Sequence, residues 1–317
     1  MYTCKLAVMV IISGVATPAS AALSRLSITA PGGFVQAGVS PVGFGFFLAV
    51  GSDFESLYNG VGDDFSEGAF SGLGSITRSA AAVTTNTSGS SMAFATMGQI
   101  KLKASSTSPN LGFANGGAHG GFKENFTVSG GVPGAAGWML VDILVSGSAS
   151  ASGAAGSAGF SIGGFKDGIE LRNNNPFWDN GNSDPASTDR QRAKWRVSSF
   201  ASGTTDSRVV NDMITFAVPI TFGVQFSFDI YGFAEAGKRS SGSAPGLSSA
   251  SVDFFNTITW GGINAILASN GSTISSSSVV GSTGLDWTGV VPAPGALLVF
   301  GLGSLVSIRR NRRNEMG

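Results

Sequence analysis

From Ile214 to Ile230 the chain places Ile, Phe, Val, Ile, Phe, Val, Phe, Phe and Ile at every second position, with Thr215, Ala217, Pro219, Thr221, Gly223, Gln225, Ser227 and Asp229 between them. Successive side chains of a strand point to opposite faces, so this alternation is that of a sheet with one buried face. The run covers 17 residues, more than the usual strand limit of about 10. Gly223 or Pro219 is therefore expected to mark a turn or bulge between two strands.

The same alternation recurs in Val252, Phe254, Ile258 and Trp260, interrupted by Phe255 and Asn256. Trp138 to Val145 is a further apolar run, and Ser146 to Phe165 is a long stretch of Ser, Ala and Gly ending in Phe160, Ile162 and Phe165. Small residues on a strand let two sheets approach closely. Between the two chain ends no apolar stripe at helical spacing carries caps. Many short strands separated by Gly/Asn/Ser turns predict an all-β body, a jelly-roll-like or related β-sandwich. Asn173 to Asp189 has loop chemistry and is expected to be a long loop inside one domain rather than a boundary.

Gly, Ser and Ala are abundant, which favours disorder. The chain nevertheless holds 23 Phe and 5 Trp, and disordered chains lack the aromatic burial that offsets ordering entropy. Charged residues are 12% of the sequence, against about 25% in typical soluble domains.

Both ends read as addresses. Lys5 is a thin positive start, Leu6–Ala16 is apolar, and Thr17, Pro18 and Ala19-Ser20-Ala21 supply the helix break and the small residues that signal peptidase needs. Cleavage is expected after Ala21, with Ala22 as the near alternative. The only cysteine, Cys4, would be lost with this segment, leaving a body without disulfides that core packing alone must hold. At the other end, Val291, Pro292, Ala293 and Pro294 precede an apolar run from Gly295 to Ile308, followed by Arg309, Arg310, Arg312 and Arg313. As a helix that run covers about 21 Å, short of a hydrocarbon core of about 30 Å. The arginines would hold its end in the cytoplasm. A short span behind a Pro-rich turn reads as a temporary stop from which the body is later cut, the alternative being a plain tail anchor that is never processed. Losing Lys5 and the four terminal arginines takes Lys+Arg from 19 to 14, and losing Glu315 takes Asp+Glu from 19 to 18, a body near −4. That argues against nucleic acid as a partner.

Pro292-Ala293-Pro294, the apolar run and the terminal arginines resemble the PEP-CTERM sorting domain of exosortase substrates, with Ala293 where that family usually has glutamate. Ala250–Ile258, Asn270-Gly271 and Ser282-Thr283-Gly284-Leu285-Asp286-Trp287 are similar to the final strands of many such proteins. The resemblance implies a Gram-negative host that makes an exopolysaccharide or biofilm matrix, and it implies no enzymatic activity of the body. The expected organisation is a signal peptide over 1–21 with a signal helix, a secreted body over 22–288, and a sorting segment over 289–313 with a short hydrophobic helix. The expected partners are signal peptidase, an exosortase-like membrane transpeptidase and exopolysaccharide. The protein would be transiently anchored in the inner membrane, then placed on the cell surface or outside.

Other motifs carry less. Gly159-Phe160-Ser161-Ile162-Gly163 matches G-x-S-x-G, but a nucleophile elbow needs a strand–turn–helix and a later histidine. The only histidine, His119, precedes it in the chain and is expected in an exposed glycine-rich loop. One His and no mature Cys exclude most zinc sites. Asp53 with Glu55, Asp63 with Asp64 and Glu67, and Asp167 with Glu170 are carboxylate groupings of the kind a glycosidase uses, in turn-like surroundings that suit solvated charges. Asp179, Asn182 and Asp184 offer oxygen donors of the kind calcium takes, though off the EF-hand spacing, and an Asx-rich turn accounts for them. Arg190, Arg192, Lys194 and Arg196 alternate with Gln191, Ala193, Trp195 and Val197. On a strand this is a cationic stripe that would meet acidic polysaccharide, with Phe177 and Trp178 nearby for stacking, or a charged edge that blocks sheet-to-sheet pairing. No cofactor and no catalytic residue is expected.

Overall fold

The computed structural model describes residues 31–40, 64–85, 87–109, 114–153, 155–171, 192–199, 203–238 and 246–290. Among these residues it is all-β, with two antiparallel sheets that form a sandwich. The strands are β1 (Gly32–Ser40), β2 (Asp64–Ser71), β3 (Ser75–Val83), β4 (Ser88–Thr96), β5 (Gln99–Ser108), β6 (Asn115–Ser129), β7 (Ala136–Gly153), β8 (Gly156–Lys166), β9 (Ile169–Glu170), β10 (Arg192–Ser198), β11 (Thr205–Thr221), β12 (Phe226–Lys238), β13 (Ser248–Ala268) and β14 (Ser278–Gly281). The first sheet has eight strands in the order β10-β8-β12-β6-β1-β2, with β14 beside β6 and β9 beside β8; the second has six, β11-β7-β13-β5-β4-β3. The two segments expected as terminal helices lie outside the described residues.

The long alternating run divides at Gly223, whose φ of +80° only glycine adopts readily. β11 belongs to the second sheet and β12 to the first, so the turn carries the chain from one layer to the other rather than closing a hairpin. Phase is kept across it: Phe216, Val218, Ile220 and Phe222 face the same core as Phe226, Phe228 and Ile230. Val224, at the turn, is 52% exposed. Pro219 stays inside β11, which is an edge strand and can do without one ladder N–H.

The two sheets bury their side chains differently. In the second sheet the strands mostly alternate buried with half-buried or exposed, as β4 does up to Ala95 and β7 does on either side of Ser146–Ser148. In the first sheet β8 is buried on both faces, and so are most of β6 and β12. One continuous apolar core joins the layers, with Trp195, Trp260, Trp287, Phe126, Phe160 and Phe254 among its largest members. Phe160 and Phe254 stack at 3.9 Å between ring centroids across the two sheets.

At one end this core is made of alanine and glycine. Ala104, Ala149, Ala151 and Ala250 point inward there, and the layers come close. A Cβ on Gly116 of β6 would stand 2.8 Å from Ser105 O and 2.9 Å from Ser90 O, both backbone atoms of the facing sheet. Gly116→Ala should therefore cost about 2–3 kcal/mol by forcing two backbones apart. Gly289→Ala, with nothing within 4 Å, should stay within about 0.5 kcal/mol. Thermal unfolding of the pair measures the difference.

The sandwich's open sides are stitched across layers. Asp64 of β2 accepts the Ala81 amide of β3 at 2.7 Å, and Arg78 Nε donates to Glu67 O at 2.7 Å. On the opposite side Trp195 Nε1 donates to Asp212 at 3.1 Å, and the Ser198 amide to Asp206 at 3.0 Å. The Asp167-Gly168 turn after β8 has φ of +51° and +77°, the pair of left-handed residues a two-residue hairpin loop requires. Burial raises the Asp167 pKa, but Lys166, at 2.6 Å, and the Ser227 amide outweigh it and hold the carboxyl below its usual value.

Candidate functional site

Glu124 lies on β6 in phase with Phe122, Phe126 and Val128, so its side chain enters the core, where it is 1% exposed. A buried carboxylate must be paired or fully hydrogen-bonded. Oε1 accepts from the amides of Asn125 at 2.8 Å and Ser282 at 3.1 Å and from Ser282 Oγ at 2.7 Å. Oε2 accepts from Thr283 Oγ1 and, at 3.1 Å, from Trp287 Nε1. Three of those residues belong to the stretch Ser282–Trp287 that follows β14. Gly281 has no side chain because Trp287 occupies that place: a Cβ there would meet Trp287 Nε1 at 2.5 Å. Trp260 Nε1 donates to Trp287 O at 2.8 Å, and the two indoles meet edge to face at 4.8 Å. Asp286 then accepts both the amide and the hydroxyl of Thr288, at 2.9 and 2.6 Å. The Thr288 hydroxyl and then its amide keep the Asp286 carboxyl below its usual pKa. Their help to the turn is present above the ordinary carboxylate pKa and fades as pH falls through the lowered one. The body is thus locked shut within three residues of Val291.

A second cluster lies on the outer face of the first sheet. The register sets Glu67, Gln36, His119, Phe233, Ser161 and Lys194 in one row across β2, β1, β6, β12, β8 and β10. His119 is in the middle of β6 and 8% exposed, which corrects its expected place in an exposed loop. Of the glycines that flank it, Gly121 leaves room for an aromatic ring: a Cβ there would lie 2.7 Å from the Phe34 ring. Gln36 Nε2 donates to Glu67 at 3.2 Å, and Gln36 Oε1 meets His119 Nδ1 at 3.2 Å. Gln36 Oε1 can only accept, so with this amide orientation Nδ1 is the donor. Phe34 stands edge-on to the imidazole at 4.9 Å and Phe233 at 6.1 Å. Ser161 sits in mid-strand rather than on a turn, with the Phe233 position between it and His119, so G-x-S-x-G here builds no nucleophile elbow.

The cationic stripe is the edge strand β10, as its alternation predicts. Arg192, Lys194 and Arg196 stand opposite Gly163, Ser161 and Gly159, and Arg196 is half-buried. Trp195 on the other face is core, stacked on Phe160 at 5.4 Å. Trp178, Asp179, Asn182 and Asp184 lie outside the described residues, as do Phe177, Arg190, Ala19, Ala21, Val291, Pro292, Ala293, Pro294, Arg309, Arg310, Arg312 and Arg313. Asp53, Glu55 and Asp63 do too; of the remaining carboxylates, Asp64 and Glu67 bind strand partners and Asp167 closes a turn. Among the described residues no cluster of three or more His, Cys, Asp or Glu could hold a metal ion, and no helix is long and apolar enough to cross a membrane.

Sequence reasoning missed Glu124 and misplaced His119. The signal for Glu124 was its phase with Phe122 and Phe126. For His119 it was Ala118 and Phe122 flanking it at alternate positions, diluted by four glycines. No family model matches this sequence, and no characterised protein compared with it is similar enough to be a relative.

Proposed function

We infer that this chain is an exported, non-enzymatic surface or extracellular-matrix protein whose tail is read by an exosortase-type membrane transpeptidase. The observation that carries the reading is the closure at Glu124 and Trp287. Ser282–Trp287 is built into the sandwich, and the Pro292-Ala293-Pro294 motif follows within five residues of the buried Trp287. That is the layout of a finished body with an address attached. In this reading residues 1–21 are removed by signal peptidase, 22–288 form the delivered body, and 289–313 are the sorting segment. The flanking helices belong to the signal and the tail. The body is jelly-roll-like: from β5 to β8, and again from β10 to β14, each strand lies in the sheet opposite its predecessor's, apart from the β8–β9 hairpin. The segment anchors the protein transiently in the inner membrane before it reaches the surface or matrix.

Intact mass of the native protein tests this. The surface-released form should lack both the Met1–Ala21 segment and the Arg309–Arg313 end, whereas cells without the transpeptidase should retain the tail. A released species still carrying those arginines would refute processing.

A carbohydrate-binding body is the second reading, favoured by an exposed aromatic and cationic group on the second sheet.

A further inference from the structure

The outer face of the second sheet is organised in registered rows. Ser90, Ser105, Ser251, Ser150 and Ser207 stand side by side on β4, β5, β13, β7 and β11, and all point outward. The parallel row two residues along, from Ser88 to Thr205, is also Ser or Thr on every one of those strands. The hydroxyls bond across strands, Ser90 to Ser105 at 2.7 Å and Ser150 to Ser251 at 2.9 Å. Strand geometry spaces them about 4.8 Å apart across the sheet and about 7 Å along it.

Beyond these rows lie an ion pair, Lys103 with Asp253 at 3.4 Å, and then an aromatic group. Lys101 Nζ sits 5.5 Å from the Phe94 centroid and 5.8 Å from that of Phe255. Both rings are half-exposed. Phe255 shares the outer face with Asp253 by ordinary strand alternation, just before the register of β13 on β5 shifts between Phe254 and Ile258. Among the described residues Lys101 has no carboxylate within salt-bridge distance, so its charge is offset only by ring faces.

We propose that this face binds a linear, carboxylate-bearing polysaccharide, with sugar rings against Phe94 and Phe255, a carboxylate at Lys101 and the chain's hydroxyls along the serine rows. The chemistry matches part for part. Sugar C–H groups carry partial positive charge and meet the negative faces of aromatic rings. The Lys101 ammonium, without a carboxylate partner among the described residues, selects an anion. A repeating row of donor–acceptor hydroxyls suits a repeating row of the same groups. The proposal deepens the matrix reading and takes its class of occupant from it. It is tested on purified protein, so a failure of sorting in cells and a failure of binding are separate results.

The test is affinity electrophoresis of the purified full-length chain through gels containing polygalacturonate, or dextran as the uncharged control. Wild type should be retarded by polygalacturonate, less so as salt rises and screening shortens the range over which the charges attract. Phe94→Ser with Phe255→Ser should weaken binding at least tenfold. Lys101→Gln, which disturbs no core residue, should weaken it and flatten the salt dependence. Val224→Ser, in the exposed turn far along the chain, should change nothing. Absence of wild-type retardation, equal retardation of the Lys101→Gln chain, or equal retardation in dextran would overturn the proposal. So would a concentration-dependent dimer in sedimentation that Lys101→Gln abolishes, which would make a second copy the occupant.

Discussion

Replacing Glu124 with Ala is expected to lower stability by about 4 kcal/mol, because five hydrogen-bond donors converge on its carboxylate in the core, a hydrogen bond to a charged group contributes about 1.5–3 kcal/mol net, and contributions that share one partner do not add in full. The hydroxyls of Ser282 and Thr283 can turn toward other acceptors. The Trp287 Nε1–H cannot, and it would be left buried without a partner. Glu124→Gln should cost nearly as much, about 3 kcal/mol. Whichever way the amide is placed, its NH2 faces a donor that cannot invert: the Trp287 indole on one side, the Asn125 and Ser282 amides on the other. For a body of this size the Ala change corresponds to a fall of about 10 °C in Tm. Limited proteolysis should show new cleavage between Gly281 and Thr288 before the rest of the sandwich opens. A Tm within about 2 °C of wild type would show that the closure contributes little.

How much of this was legible in the sequence depended on side-chain size. Ile214–Ile230 announced two strands and a break because large apolar residues at alternate positions have no other reading; only the choice between Pro219 and Gly223 was open. Trp138–Val145 became the first half of β7 for the same reason. What the alternation could not show is that β11 and β12 lie in different sheets, since a turn between hairpin strands and a turn over the sandwich edge leave the same residue pattern. The glycine- and serine-rich strands were hardest. β8 is buried on both faces and its glycines accommodate rings from neighbouring strands, as Gly163 does for Tyr231. Small residues there mean close packing, whereas in a sequence they resemble loop.

The candidate sites divide along the same line. The strand carrying Arg192, Lys194 and Arg196 was visible because charge alternates along it, and β10 stands at a sheet edge. Glu124 was invisible because Lys123-Glu124-Asn125 reads as a solvated face. Its meaning comes from residues more than 150 positions away in the chain. The face carrying Lys101 was likewise hidden: Phe94 stands opposite that lysine across the β4–β5 hairpin, but Phe255 joins them only through pairing of β13 with β5.

The second large effect is expected at Trp260. It is fully buried, lies nearly parallel to Phe126 at 5.8 Å and meets Trp287 edge-on at 4.8 Å. Trp260→Ala removes a large ring from a region whose neighbours are themselves rigid rings, so the cavity cannot collapse and the cost should be about 4–5 kcal/mol. Trp260→Phe keeps most of the apolar contact but loses the Nε1–H that donates to Trp287 O, and should cost about 1–2 kcal/mol. Because Trp260 and Glu124 hold Trp287 from two sides, their losses should not add. Once Glu124→Gln has freed Trp287, removing the Trp260 indole N–H has less left to break. A double-mutant cycle of Glu124→Gln with Trp260→Phe, read by chemical denaturation, should therefore give a coupling of about 1 kcal/mol, the double variant being more stable than the sum predicts. Strict additivity would mean that Trp287 is held by its surrounding rings alone, and that the polar closure before Val291 is ornament to an apolar lock.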